Sequence, residues 1–187
     1  MDKLLNTLNQ ISPLSEDDLN NIRRIISVKE LNTGDYWFHP EMYANQVAYI
    51  TKGYLRKYLL IDGKEKTDFF YFDNDLTGDL PSIISNETCK SYNEAMEPTS
   101  LLVFSYHELD KLSKESRNIE HLMRIFAELA FVRYYNKATS FLLQSSKERY
   151  EELIRSQPQV LQRATQYHIA SYLGITPQHL SRLRASK

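Results

Sequence analysis

The sequence predicts an α+β protein: a strand-rich roll, then one long helix, then a pair of short C-terminal helices. Three observations carry this. Between Ser27 and Ser105, short apolar segments alternate with turn residues. From Ile119 to Gln144, apolar residues recur at helical spacing without a breaker. From Thr165 onward, two capped helical segments flank a single glycine.

The roll is preceded by helix. Ser15 caps a segment that begins with Glu16, Asp17 and Asp18, acids suited to the positive end of a helix dipole. Leu19, Ile22, Ile25 and Ile26 follow at helical spacing, and near Ser27 the period changes to that of strands. Gly34, Gly53, Gly63 and Gly78 are expected at turns between extended segments. Asp62–Gly63 is the clearest hairpin signal, because a primed turn needs positive φ at both central residues. The aromatic residues of this region (Tyr36, Trp37, Phe38, Tyr54, Tyr58, Phe69, Phe70, Tyr71 and Phe72 among them) are expected in its core.

The Ile119–Gln144 segment spans roughly 40 Å as a helix, longer than one face of a small roll requires. Leu122, Met123, Ile125, Phe126, Leu129, Phe131, Val132, Tyr134 and Tyr135 make nearly every face of it apolar. One side can pack on the roll and the other needs a second partner, which favours a two-fold dimer over a helix buried within one chain.

The chain has 187 residues and a formal net charge of −1, distributed unevenly. The 145–187 segment carries seven basic and three acidic residues, a net +4, which leaves −5 for the remainder. Phosphate contact requires a local basic surface, not a basic protein. A single cysteine, Cys89, excludes an internal disulfide and a cysteine-held iron–sulfur cluster. His39, His107 and His121 are scattered without metal-ligand spacing. There is neither a secretory signal nor an apolar run long enough to span a bilayer, so a cytoplasmic location without membrane contact is expected. No glycine-rich phosphate loop, metal-ligand pair or nucleophile motif argues for an enzyme.

In the C-terminal segment TQYHIASYLGITPQHLSRLR, Thr165 caps a helix that turns Ile169, Ala170 and Leu173 inward. Gly174 allows a tight turn, and Ile175 fills the angle between the helices. Thr176 caps the second helix with Pro177 at its first position, and Leu180 and Leu183 anchor it. This is the spacing of a helix-turn-helix, whose second helix enters the major groove. Gln178, His179, Ser181 and Arg182 are expected on its outward face, with Gln178, His179 and Arg182 directed at base edges. Arg184, Lys187 and Arg163 are expected at phosphates. With little sequence after the second helix, no wing is expected there.

QYHIASYLGITPQHLSRLR, behind a strand-rich region and a long helix, resembles the Crp/Fnr (cyclic-AMP receptor protein-like) family of transcription regulators. TKGYLRKYLLIDGKEK and DNDLTGDLPSI resemble that family's cyclic-nucleotide-binding β jelly roll. The resemblance covers almost the whole chain. It implies a sensory roll over residues 1–118, a dimerisation helix over 119–144 and a helix-turn-helix domain over 145–187. It also implies a homodimer on a near-palindromic double-stranded operator, with RNA polymerase as a further partner.

In nucleotide-binding members of the family, a Gly-Glu-Leu stretch and an Arg-Ser pair hold the sugar and phosphate. The corresponding positions here read Gly78–Asp79–Leu80 and Cys89–Lys90–Ser91. An ammonium at Lys90 replaces the guanidinium fork poorly, so the sequence disfavours cyclic AMP, and no cofactor is expected. The competing reading is a small-ligand-binding module of the same fold whose C-terminal helices serve protein contacts.

Overall fold

The computed structural model describes residues 1–185. The N-terminal segment forms α1 (Asp2–Ile11) and α2 (Glu16–Ile25). Ser15 caps α2 as expected, in a reciprocal box: Asp18 N–H donates to Ser15 Oγ at 3.1 Å, and Ser15 N–H donates to the Asp18 carboxylate at 3.0 Å. Helix α1 was not anticipated, although its Leu4, Leu5 and Leu8 share one buried face.

Eight strands follow: β1 (Ile26–Leu31), β2 (Tyr36–Phe38), β3 (Gln46–Lys52), β4 (Leu55–Ile61), β5 (Lys64–Tyr71), β6 (Leu76–Gly78), β7 (Tyr92–Ala95) and β8 (Thr99–Ser105). They build two antiparallel sheets, β1-β8-β3-β6 and β2-β7-β4-β5, packed face to face as a jelly roll. Asp62 and Gly63, at φ 50° and 70°, close the β4–β5 hairpin. Gly78 departs from expectation. It lies inside β6 opposite Val47, whose side chain would stand 2.9 Å from an added Cβ.

Side chains alternate across β5 and so serve two cores. Phe69 and Tyr71 point between the sheets with Trp37, Phe38, Leu55 and Leu101. Phe70 and the following Phe72 point outward with Tyr54, beneath the C-terminal helices.

A short α3 (Leu80–Ser85) covers one end of the roll, and α4 (Tyr106–Glu115), also unanticipated, leads into the long α5 (Arg117–Leu143). Helix α5 buries Ile119 and Leu122, with Met123 and Phe126 beside them. Its opposite side leaves Leu129, Phe131, Val132, Tyr135, Leu142 and Leu143 exposed in the single chain. The remaining helices are α6 (Ser146–Ser156), α7 (Val160–Arg163), α8 (Gln166–Leu173) and α9 (Pro177–Ala185). No described helix is long and apolar enough to cross a membrane.

Candidate nucleic-acid interface and ligand cavity

Helices α8 and α9 are joined as the sequence requires. Thr165 Oγ1 accepts from His168 N–H at 3.2 Å, and Thr176 Oγ1 accepts from His179 N–H at 3.2 Å, so each side chain caps its helix. Gly174 adopts φ +69° between them, and a Cβ there would meet the Phe141 ring at 2.9 Å. Ile175 N–H returns to the Ala170 carbonyl at 3.0 Å, which tightens the turn. Ile169, Ala170, Leu173 and Leu180 are buried in one cluster with Tyr150, Leu153 and Val160.

This packing leaves one face of α9 open. Gln178, Ser181, Arg182 and Arg184 are exposed, as is Thr176 at the cap. Among the described residues, neither Arg182 nor Arg184 has a carboxylate partner. Both remain available to an external acceptor.

Two residues expected at the interface make contacts within the chain. His179 is half-buried, with Nε2 3.3 Å from Ser146 Oγ on α6, so the ring braces the helix against its neighbour. Arg163 pairs with both Asp73 and Glu97, from the loops that follow β5 and β7. Its guanidinium therefore ties the C-terminal helices to the roll. Sequence spacing gives no hint of this, because the partners lie 90 and 66 positions away. Lys187 lies outside the described residues.

The C-terminal helices rest directly on sheet β2-β7-β4-β5. Ser171 of α8 joins strand β5 twice: its Oγ accepts from Thr67 N–H at 2.9 Å and donates to the Glu65 carbonyl at 2.9 Å. Phe70 packs on Tyr172 with ring centroids 5.2 Å apart. Burial, reinforced by nearby Arg56, pushes the His168 imidazole down to about 4, so it sits neutral in this seam near neutral pH.

The cavity at Asp79 is small, about 210 Å³, and its polar groups are already matched. Asp79 is buried, accepts from Ser91 Oγ at 3.0 Å and faces Lys57 Nζ at 3.6 Å. Lys57 also donates to Tyr134 Oη on α5 at 3.0 Å. Lys90 lines the same cavity but takes no part in this buried arrangement. Its side chain is 80% exposed and pairs with Glu87 at 3.2 Å. The structure thus brings Asp79, Ser91 and the exposed Lys90 to this cavity, with the Lys90 ammonium paired to Glu87, whereas Gly78 and Leu80 line a separate cavity of about 300 Å³. The buried cation, Lys57, was missed because it reads as an ordinary outward lysine in an alternating strand. Cys89 is buried, and that burial pushes its thiol up, away from the thiolate form that reacts with oxidants.

No protein-family model matches the sequence, and no curated protein matches it. Solved structures do. FixK2 from Bradyrhizobium japonicum is similar at 17% identity and TM-score 0.74, over 87% of this chain and 84% of that one. A structure described as a Crp/Fnr-family transcriptional regulator from Eubacterium rectale is similar at 18% identity and TM-score 0.69, over 92% and 83%. The catabolite activator protein of Thermus thermophilus is similar at 16% identity and TM-score 0.59, over 96% and 85%. The double-sheet roll, the long α5 and the capped α8–α9 pair accordingly make up the fold of the Crp/Fnr transcription regulators.

Proposed function

We propose that the chain is a homodimeric, sequence-specific DNA-binding transcription regulator of the Crp/Fnr type, with a nucleotide site that has degenerated. The observation that carries this reading is the open face of α9. Gln178, Ser181, Arg182 and Arg184 are exposed there, while Leu180 on the opposite side is fully buried. Arg and Gln are the side chains that bond guanine and adenine edges bidentately in the major groove. The exposed apolar side of α5 supports the dimer, since two such faces bury one another across a two-fold axis and set two copies of α9 about one DNA turn apart. The Lys57–Asp79 pair supports a lapsed nucleotide site, because it neutralises internally the charge that a phosphate would need.

Selection of bound sequences from a random duplex pool tests the reading. A near-palindromic consensus is expected, with affinity that falls steeply with salt. Light scattering is expected to give twice the 22.0 kDa of one chain. Recovery of no sequence preference, or a monomer at micromolar concentration, overturns it. Recruitment of RNA polymerase belongs to the same reading, and transcription in vitro from a selected operator tests it.

A further inference from the structure

A cleft of about 540 Å³ opens at the elbow where α5 passes into α6, floored by Phe69 of β5 and Tyr172 of α8. It is separate from the Asp79 cavity, and none of the residues expected to bind DNA or a nucleotide lines it. Four cations do: Arg133 and Lys137 from α5, Arg149 and Arg155 from α6. Two of them are neutralised, Lys137 by Asp68 at 3.5 Å and Arg155 by Glu152 at 2.5 Å.

The other two are not. Arg133 donates to the Phe70 carbonyl at 2.9 Å and lies against the Phe69 and Tyr71 rings, its guanidinium carbon 4.9 and 4.7 Å from their centroids. Arg149 donates to the Gln144 and Leu173 carbonyls at 2.6 and 3.0 Å, and its Nε–H is buried without an acceptor. Among the described residues, neither guanidinium has a carboxylate within ion-pair distance. Two half-buried positive charges on the wall of one cleft, held only by neutral carbonyls and aromatic rings, leave a local excess of two charges.

We propose that this elbow cleft is a binding site for a small phosphate monoester. One phosphate carries nearly two negative charges at neutral pH and offers three acceptor oxygens, which matches in number the two guanidinium charges left without a carboxylate. The Phe69 and Tyr172 rings offer an apolar surface to the body of the ester, and the cleft volume is within the usual range for a small-molecule site. Burial pushes Lys137 down to about 8, so an incoming anion also favours proton uptake there at mildly alkaline pH. The occupant would touch α5, α6 and α8 together and fix the angle at which α8 and α9 leave the long helix. Binding at this site does not depend on whether the chain recognises DNA, and the test is made without DNA.

The probe is phenyl phosphate, titrated calorimetrically into the full chain against sodium chloride of matched ionic strength. One saturable site per chain is expected, about tenfold weaker in Arg133→Gln and in Arg149→Lys, which keeps the charge but loses the fork. Lys114→Ala, on the exposed surface of α4, should leave the affinity unchanged. Hydrogen exchange of the unaltered protein needs no variant and should show new protection over 136–157 when phenyl phosphate is added. Absence of saturable binding, equal affinity in all variants, or protection confined to the neighbourhood of Ser91 overturns the proposal. So does failure to bind phenyl phosphate together with a shallower salt dependence of DNA binding in Arg149→Lys, which would make Arg149 a contact to the DNA backbone.

Discussion

The cavity in the roll and the outer face of α9 both present polar side chains, but they treat their charges in opposite ways. In the roll, Lys57 and Asp79 are nearly fully buried and face each other, with Ser91 and Tyr134 completing the set. On α9, Arg182 and Arg184 stand in solvent with no carboxylate partner among the described residues. Charges matched within the chain hold structure, because breaking them strands a partner in a poorly solvated place. Unmatched charges at the surface cost little to keep and remain ready for an external acceptor. The contrast marks the α9 face as the one open to an external acceptor and the Asp79 cavity as one whose buried charges are already paired.

Four perturbations break or sharpen this contrast. The largest effect is expected from Asp79→Ala, which strands the buried Lys57 ammonium and should cost about 3 kcal/mol in denaturant unfolding. Replacing both partners by leucine and methionine should recover most of that loss. Arg182→Ala is expected to leave folding intact and to weaken binding to a selected operator by about 1–3 kcal/mol, with relaxed preference at one base position. Equal weakening on every duplex would mean that the residue reads phosphate instead.

A smaller effect concerns pH. His168 titrates at about 4 in the folded chain against an ordinary value of 6.5. The unfolded chain therefore binds the extra proton first as pH falls, so stability is full above 6.5 and declines towards 4. The decline is about 1 kcal/mol once solvent screening at the half-exposed ring is allowed for. His168→Gln should remove that part of the slope, and an unchanged slope would place its origin elsewhere. The smallest effect is Lys90→Ala. Its exposed pair with Glu87 should contribute no more than about 0.5 kcal/mol to stability, in contrast to the buried pair only a few residues away in the fold.

What the sequence discloses about this molecule depends on how local the determinant is. The caps at Ser15, Thr165 and Thr176, the Asp62–Gly63 hairpin and the Gly174 turn are set within a few residues, and each is found where expected. Determinants that arise only through long-range packing were hidden. Arg163 looks like any surface arginine until the fold brings Asp73 and Glu97 to it. His179 sits at the right helical position for a base contact, yet the approach of Ser146 claims its ring. The aromatic run of β5 was legible as core, but not as two cores, since only topology reveals what lies over Phe70 and Phe72.

That second core has a thermodynamic consequence. Tyr54, Phe70 and Phe72 belong to the roll by sequence, yet they fill the same apolar cluster as Leu153, Ile169, Leu173 and Leu180. A fragment cut near residue 145 would part these groups, exposing aromatic surface on one piece and leaving the other with half a core. The C-terminal helix pair is therefore not a module carried on a tether. It should melt together with the roll in one cooperative transition, so any event that loosens the roll is felt at α9.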